Sequence, residues 1–333
     1  MRPVRVILVI VAVLISYGLP RSTPAAEANR YTIAATDEWY LSTEDKAARL
    51  YVNEVGHGEP VVVLHGGFGA EYSYLLDAVQ GLEGKYHFIF YDQRGSLRSP
   101  CKTELVSFEK HVEDLETLRK GLGLEKMTLF AHSMGTLLAI GYLQKHPTHV
   151  KNIVMAGALQ LKSGRYFDAA YSAAWKTGHD AATSFPDRPA VKAELEKAGV
   201  SQPNRTAKQL SEIGRIKFAA ASIYHIERWR EAKGWGVFFN AAAGDAAASS
   251  LFKQLGNDYD FTPLIDRHPY PITVINGDHD YVEFGNSFYK RYSTEAKNLE
   301  LISIKDAGHD AWIDDPDRFR DALDAGLSKR PKR

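Results

Sequence analysis

Residues 127–135 read MTLFAHSMG, and apolar residues continue to dominate as far as residue 145. The first five residues suit a buried strand, and residues 135–145, apolar on nearly all sides, suit a buried helix. Ser133 lies at the corner between them, with the small residues Ala131 and Gly135 two positions away on either side. Strand and helix nearly touch beside such a corner, so larger side chains there would clash. The stretch predicts a serine whose oxygen is exposed at the carboxyl edge of a sheet.

Strand-like and helix-like segments alternate on both sides of this corner. At least seven short apolar runs suit strands, at 50–55, 61–64, 87–91, 127–131, 150–156, 272–275 and 299–304. Helical patterns lie between or after them, at 108–122, 135–145 and 318–327. Continuously apolar strands that alternate with helices indicate a mostly parallel sheet covered by helices on both faces. We therefore predict an α/β fold.

One long segment interrupts this alternation. Residues from about 159 to 268 contain no convincing strand and are rich in Ala, Lys, Glu, Trp and Tyr. We interpret them as helices inserted between two strands. The predicted organisation is a core made of residues 29–158 and 271–333, with a helical cap at residues 159–270.

The first thirty residues differ in character from the rest. Arg2 and Arg5 precede an almost wholly apolar run at 6–19, and residues 26–28 (Ala-Glu-Ala) fit a small-x-small cleavage pattern. This order is typical of a secretory signal peptide, which we predict at residues 1–28. An uncleaved anchor is the alternative, although the run is shorter than the roughly 20 residues that span a bilayer. We expect a secreted or periplasmic protein with no membrane span after signal removal.

The composition excludes several other classes of protein. The 333 residues carry 41 basic and 41 acidic side chains, a balance that argues against a dedicated nucleic-acid binder. Cys101 is the one cysteine, so neither an internal disulfide nor a cysteine-rich zinc site can form. We predict no metal and no organic cofactor, and a small molecule or short peptide as substrate. The sequence leaves the oligomeric state open.

A serine hydroxyl needs partners before it can attack a carbonyl. The pKa of the hydroxyl is too high for it to lose its proton unaided, so an imidazole must take that proton as a base. The imidazole in turn needs a carboxylate that fixes its tautomer. His309 lies between the last predicted strand and helix, and Asp280 follows the strand before it. Ser133, Asp280 and His309 occur in the chain order Ser, Asp, His that one large class of hydrolases uses. We predict that these three residues form a catalytic triad.

Other residues compete for two of these roles. Asp278 is an alternative to Asp280 as the carboxylate, because both follow the same predicted strand. His132 and His65 are alternatives to His309 as the base. His132 adjoins the serine, but neighbouring residues at a tight corner point in different directions, and His65 belongs to a glycine-rich loop. We interpret both as structural residues.

The glycine-rich loop comprises residues 65–69, His-Gly-Gly-Phe-Gly, directly after a predicted strand. Glycines let a backbone approach a ligand closely and turn its N–H groups towards it. Acyl transfer needs two such donors for the oxyanion of the tetrahedral intermediate. The backbone amides of Gly67 and Met134 are the candidates, with Phe68 as an alternative to Gly67. A phosphate-binding loop is disfavoured because no Gly-Lys-Ser/Thr follows.

Together these motifs resemble the α/β-hydrolase superfamily. The resemblance rests on His65-Gly66-Gly67, Ala131-x-Ser133-x-Gly135, Gly277-x-x-Asp280 and Gly308-His309. It implies an α/β-hydrolase fold, with the segment at 159–270 as the family's helical cap. The resemblance also implies a serine hydrolase that forms and hydrolyses an acyl-enzyme.

A further segment resembles the proline iminopeptidase branch of this superfamily. Residues 92–99, Asp-Gln-Arg-Gly-Ser-Leu-Arg-Ser, are similar to that branch's Asp-Gln-Arg-Gly-x-Gly-x-Ser. Three positions depart from the branch, namely Phe68 for proline, Leu97 for glycine and Ala131 for the first elbow glycine. Iminopeptidases also have Gly-Gly-Ser-Trp-Gly around the serine. The residues that flank Ser133 here, His132 and Met134, are more similar to those of general esterases. We expect Asp92 and Arg94 to form a buried structural ion pair.

The cap is expected to select the substrate. An aminopeptidase binds a free amino terminus, for which a cap carboxylate is the natural partner, and Glu227 has aromatic neighbours that could line a pocket. We predict Glu227, Phe68 and Trp229 as substrate-binding residues; the alternative for Glu227 is an exposed charge paired with Arg228 or Arg230. The candidate activities are an iminopeptidase-like aminopeptidase and a carboxylesterase or lactonase for small esters. A catalytically silent, ligand-binding member of the fold is a further alternative.

Overall fold

A computed structural model describes residues 37–233, 238–256 and 258–330. The predicted signal peptide at 1–28 lies outside the described residues. No helix within the described ranges is long and apolar enough to cross a membrane.

Eight strands form one sheet in the order β1-β2-β4-β3-β5-β6-β7-β8. Six neighbouring strands, from β4 to β8 along this order, are parallel, and β1 and β2 add an antiparallel edge. The strands are β1 (Asp37–Ser42), β2 (Arg49–Gly56), β3 (Glu59–Leu64), β4 (Tyr86–Tyr91), β5 (Met127–His132), β6 (Val150–Ala156), β7 (Ile272–Gly277) and β8 (Leu299–Ile304). The register pairs Leu64 of β3 with Ala131 of β5, so the ends of the two central strands lie side by side.

The strands are apolar on both faces because both faces are covered. In β3, Val62 and Leu64 belong to the hydrophobic cluster on one side of the sheet. Val61 and Val63 belong to the cluster on the other side. Successive side chains of a strand point to opposite faces, so a strand buried on both sides reads as a continuous apolar run.

Helices supply the two covering layers. Those described are α1 (Phe108–Gly121), α2 (Met134–Lys145), α3 (Ala169–Thr183), α4 (Pro189–Lys197), α5 (Ala207–Ser222), α6 (Ala241–Leu255), α7 (Thr262–Arg267), α8 (Ser287–Glu295), α9 (Ala311–Asp314) and α10 (Pro316–Ser328). Helices α1, α2 and α8 contribute to the first cluster, and α10 contributes to the second. Short 3-10 helices, among them Tyr72–Leu75, lie in the connecting loops.

Helices α3 to α7 lie between β6 and β7 and pack against the loops at the carboxyl edge of the sheet. The Asn240 amide donates to the Gly69 carbonyl at 2.8 Å, and the Asn240 side chain donates to the Gly95 carbonyl at 2.9 Å. The amides of Tyr224 and His225 donate to the Asp314 carboxylate at 2.8–3.1 Å. The inserted segment is therefore tied to two loops of the first half of the core and to α9 of the second half.

The predicted elements are present in the structure. All seven strands and all three helices lie where the sequence places them, with ends that shift by at most two residues. Edge strand β1 was missed, since most of its residues are exposed and its sequence, DEWYLS, contains two acidic residues.

The prediction that Asp92 and Arg94 pair with each other is wrong, because each pairs with another residue. Both side chains are buried, but the Arg94 guanidinium binds both carboxylate oxygens of Asp114 at 2.6 Å. It also donates to Asp45 at 3.0 Å. Asp92 instead pairs with Arg98, at 3.0 Å. The chain turns between residues 92 and 98, so neighbouring side chains reach different helices and loops.

We expect Arg94→Met to lower the free energy of unfolding by about 3–5 kcal/mol at pH 8, because it leaves the buried Asp114 carboxylate without its partner. Burial raises the pKa of Asp114 to about 6, although the Arg94 guanidinium opposes this rise. Without Arg94 the folded protein can protonate Asp114, so the loss should be smaller at pH 5 than at pH 8. Urea unfolding at both pH values measures the difference.

Arg320→Met is the matched control for this variant. Arg320 pairs with Asp317 at 2.7 Å on the surface of α10, where both side chains are exposed. Exposed pairs of this kind contribute about 0–1 kcal/mol. An equal loss of stability in the two variants would contradict the role of the Arg94–Asp114 pair.

Candidate active site

Ser133 occupies a tight, strained corner between β5 and α2. Its backbone has φ 53° and ψ −128°, a conformation that residues other than glycine rarely adopt. The Ser133 amide donates to the Ala156 carbonyl of β6 at 3.0 Å, and the Ser133 carbonyl accepts from the Thr136 amide at 2.8 Å. Ser133 is half-buried, whereas its neighbours on both sides are buried. The corner therefore presents this one side chain to solvent.

Close backbone approaches explain the small residues around the serine. A Cβ added to Gly135 would lie 2.5 Å from the Leu64 carbonyl oxygen, and one added to Gly66 would lie 2.6 Å from Ser133 Cβ. These contacts are shorter than van der Waals distance, so no larger residue fits without moving β3 or the loop after it. The glycine-rich loop and the serine are thus held in contact by the packing.

His309 and Asp280 lie together beside this corner. His309 Nδ1 is 3.0 Å from both carboxylate oxygens of Asp280, and both residues are buried. Asp278 does not take this place, since its carboxylate lies 2.7 Å from His279 Nδ1. Burial by itself lowers the pKa of His309, but the charge and hydrogen bond of Asp280 raise it above its ordinary value. The pair can accept a proton and stabilise the resulting imidazolium.

His132 is close to His309 but its ring nitrogens face other groups. The ring centroids are 4.6 Å apart. His132 Nδ1 is 2.9 Å from the Tyr74 hydroxyl, and Nε2 is 3.4 Å from the His309 carbonyl oxygen. Burial lowers the pKa of His132 well below its ordinary value. These contacts favour a neutral, structural His132, in line with the sequence interpretation.

His65 is also a structural residue. It is fully buried, with Nδ1 2.9 Å from the Gly66 carbonyl oxygen and Nε2 accepting from the Gln93 amide at 3.1 Å. The Gln93 side chain donates in turn to the His65 carbonyl at 2.8 Å. His65 therefore joins the glycine-rich loop to the loop after β4.

The glycine-rich loop and the start of α2 have backbone amides near Ser133, at the carboxyl edge of the sheet. Gly67 has φ +55° and is half-exposed among buried neighbours, as Ser133 is. Met134 is the first residue of α2, where amides have no partner within the helix. Among the described residues, neither the Gly67 amide nor the Met134 amide forms a hydrogen bond. These amides can therefore serve as oxyanion donors, and the geometry leaves Phe68 open as an alternative to Gly67.

Two predicted substrate-binding residues lie in the hydrophobic core instead. Phe68 is 2% exposed, stacked on His111 and packed edge-on against Phe108. Trp229 is 1% exposed, and its indole N–H donates to Glu194 at 3.1 Å. Because both rings are enclosed by core side chains, the structure argues against their role as pocket walls.

Glu227 also differs from its predicted role. Its side chain is 66% exposed and pairs with His225 Nδ1 at 3.3 Å. The alternative, an exposed charge, describes this residue better, although its partner is His225 rather than Arg228 or Arg230. Sequence position did not show which way the short 3-10 helix at Ile226–Arg228 presents this side chain.

Several residues near the predicted triad were missed in the sequence analysis. Tyr281 lies with its ring 4.8 Å from that of His309, and Asp310 has its carboxylate 3.7 Å from His132 Nε2. Tyr74 contacts both His132 and the glycine-rich loop. Asp310 and Tyr281 each follow a predicted triad residue directly, which could have drawn attention to them. Tyr74 belongs to no motif.

Two groups of side chains within the described ranges could hold a metal ion. They are Glu116 with His146 and His149, and Asp278 with His279 and Asp306. In the first group Arg119 already binds both Glu116 oxygens, at 2.7 and 2.8 Å. Neither group includes a residue of the predicted triad.

The family model for the alpha/beta hydrolase fold matches residues 59–316. The chain belongs to the α/β-hydrolase fold family. The matched range begins with β3 and extends to the start of α10. It thus contains the serine corner, the glycine-rich loop, the inserted helices and the loops that carry Asp280 and His309. The eight-stranded, mostly parallel sheet is the sheet of an α/β-hydrolase.

Known proteins are similar to this chain in sequence over part of its length and in structure over most of it. A proline iminopeptidase from Xylella fastidiosa is 33% identical over 147 residues, which are 43% of this chain and 44% of that protein. The match thus spans less than half of that relative. An esterase from Exiguobacterium antarcticum has a TM-score of 0.61 at 19% identity, covering 87% of this chain and 99% of its own. A proline iminopeptidase-related protein from Thermus thermophilus has a TM-score of 0.56 at 23% identity, covering 87% and 98%. At these identities the structural matches show the fold alone.

Proposed function

We propose that this protein is a serine hydrolase that cleaves an ester or amide through an acyl-enzyme. The observation that carries the proposal is the strained Ser133 corner beside the hydrogen-bonded pair of His309 and Asp280. A residue held at φ 53° costs free energy, and such strain is concentrated at functional sites.

In the proposed reaction, Ser133 Oγ attacks the substrate carbonyl carbon while His309 Nε2 takes the hydroxyl proton. Asp280 holds the other ring nitrogen and stabilises the imidazolium. The amides of Gly67 and Met134 donate to the oxyanion of the tetrahedral intermediate. His309 then gives the proton to the leaving group, and water, activated by His309, hydrolyses the acyl-enzyme.

Two substrate classes have separate support. Relatives named as proline iminopeptidases match parts of the chain, at 33% identity over 147 residues and 37% over 106 residues, which supports an aminopeptidase acting on a free amino terminus. The exposed position of Glu227 and the His132–Ser133–Met134 elbow support a carboxylesterase or lactonase instead. A cap carboxylate facing Ser133 would favour the first class, whereas the Glu227 side chain is 66% exposed and pairs with His225.

A panel of chromogenic substrates tests the proposal. We expect the purified protein to hydrolyse p-nitrophenyl acetate or butyrate, or the p-nitroanilides of proline or alanine. Ester turnover without amide turnover assigns a carboxylesterase. Turnover of the free-amine anilides, and none of their N-acetylated forms, assigns an aminopeptidase because only the former carry the ammonium group.

The same panel can contradict the proposal. No turnover of any substrate, together with no labelling by a fluorophosphonate, would support the catalytically silent alternative. Equal turnover by the protein and its Ser133→Ala variant would show that the activity does not depend on the predicted nucleophile.

A further inference from the structure

A chain of hydrogen bonds outside the triad joins three loops of the candidate active site. The Gly66 amide donates to the Tyr74 hydroxyl at 2.8 Å, and this hydroxyl is 2.9 Å from His132 Nδ1. On the other side of the ring, His132 Nε2 is 3.4 Å from the carbonyl oxygen of His309. The chain thus runs from the glycine-rich loop, through the residue before the serine, to the backbone of the predicted base.

The donors and acceptors in this chain fix one arrangement of protons. The His309 carbonyl oxygen can only accept, so in a neutral His132 the hydrogen lies on Nε2 and points at that carbonyl. His132 Nδ1 is then an acceptor, and the Tyr74 hydroxyl, whose oxygen accepts from Gly66, donates its own hydrogen to Nδ1. A neutral His132 is required for this arrangement, and burial lowers its pKa well below the ordinary value.

The side chains around these hydrogen bonds hold the bonded groups rigidly in place. His132 is 3% exposed, and Trp312, which is 4% exposed, packs edge-on against its ring at a centroid distance of 4.9 Å. The Asp310 carboxylate lies 3.7 Å from His132 Nε2 and reinforces the orientation of the N–H. A buried donor or acceptor that loses its partner costs free energy. A change at one end of this chain of hydrogen bonds therefore affects the other loops that it joins.

We propose that Tyr74 and His132 are positioning residues that hold the glycine-rich loop and the loop carrying His309 in place relative to Ser133. The inference rests on the proposed serine hydrolase function. Tyr74 orients the peptide that precedes Gly66, next to the candidate donor Gly67, and His132 holds the carbonyl of His309. Neither residue donates a proton to substrate.

Tyr74→Phe keeps the ring and removes the hydroxyl. We expect it to lower kcat by about 10- to 100-fold with KM changed less than twofold, because misplaced donors weaken the transition state more than the ground state. Tyr72→Phe is the matched control, since Tyr72 lies in the same 3-10 helix and its buried hydroxyl accepts one hydrogen bond from Asn53 at 2.7 Å. The control should retain kcat. Equal losses in the two variants, or an unchanged kcat in Tyr74→Phe, would overturn the inference.

A second measurement does not depend on activity. In ¹⁵N-histidine NMR spectra of the whole protein, the wild type should show His132 as the neutral tautomer protonated at Nε2. In Tyr74→Phe the Nδ1 resonance should move downfield because it has lost its donor. Protonation of His132 at Nδ1 in the wild type would overturn the inference. If the wild type hydrolyses no substrate but the tautomer is as expected, the proposed function fails while the hydrogen-bonded chain remains.

Discussion

Ser133→Ala is expected to lower kcat by about 10⁴- to 10⁶-fold on any ester or amide that the protein hydrolyses. Without the hydroxyl no acyl-enzyme forms, and the remaining rate comes from substrate binding and the oxyanion amides alone. The variant should fold, because alanine is smaller than serine and Ser133 Oγ forms no hydrogen bond with any described residue. Steady-state rates at saturating substrate, with thermal unfolding as a check of folding, measure the effect.

Ser328→Ala is the control for this experiment. Ser328 is an exposed residue at the end of α10, and its hydroxyl donates to the Ala325 carbonyl at 3.1 Å. Its kcat should match that of the wild type. A fluorophosphonate should label the wild type and Ser328→Ala at Ser133, as peptide mass spectrometry can show, and should leave Ser133→Ala unlabelled. Labelling of another serine would contradict the assignment.

The serine corner could be predicted because its requirements are local. A strand that leads into a helix through a serine needs small residues at fixed distances, and Ala131 and Gly135 meet that need within nine residues of sequence. Contacts across the sheet explain the need, since Gly135 packs on the Leu64 carbonyl. The strands were equally readable, because a strand buried on both faces is apolar throughout.

Pairings between distant segments were not predictable in this way. Arg94 binds Asp114 and Asp45, which come from a helix and a turn whose approach depends on the whole fold. Charge and motif suggested Asp92, the nearest acid in the sequence. Asp280 was predicted from its position after the strand, with Asp278 as the alternative; in the structure the Asp280 carboxylate contacts His309 and the Asp278 carboxylate contacts His279.

The direction in which aromatic side chains point was the feature that the sequence predicted least well. Phe68 follows two glycines of the glycine-rich loop, and yet its ring packs in the core against Phe108 of α1. Trp229 lies in the predicted cap and belongs to the hydrophobic cluster that also contains Val61 and Val63 of β3. An aromatic residue in a loop can line a pocket or fill a core, and only the packing around it distinguishes the two. Tyr74 was missed because its partners lie at residues 66 and 132.

Asp280→Asn is expected to lower kcat by about 10⁴-fold while the protein stays folded. The carboxylate accepts a hydrogen bond from His309 Nδ1 at 3.0 Å, whereas an asparagine amide can donate to that nitrogen. The ring would then carry its hydrogen on Nε2, the atom that must take the serine proton. Steady-state kinetics with the best substrate of the panel measure the loss.

The pH dependence separates this electrostatic role from a purely structural one. A general base must be neutral, so kcat/KM should rise with pH through the pKa of His309 in the free enzyme. Burial lowers that pKa, and the Asp280 charge and hydrogen bond raise it above the ordinary 6.5, which places the wild-type midpoint above 6.5. Asp280→Asn removes the raising effect and leaves the burial, so its midpoint should move to lower pH. Asp278→Asn, which changes the carboxylate paired with His279, should keep both the rate and the midpoint; a shift in this variant instead of in Asp280→Asn would make Asp278 the orienting carboxylate.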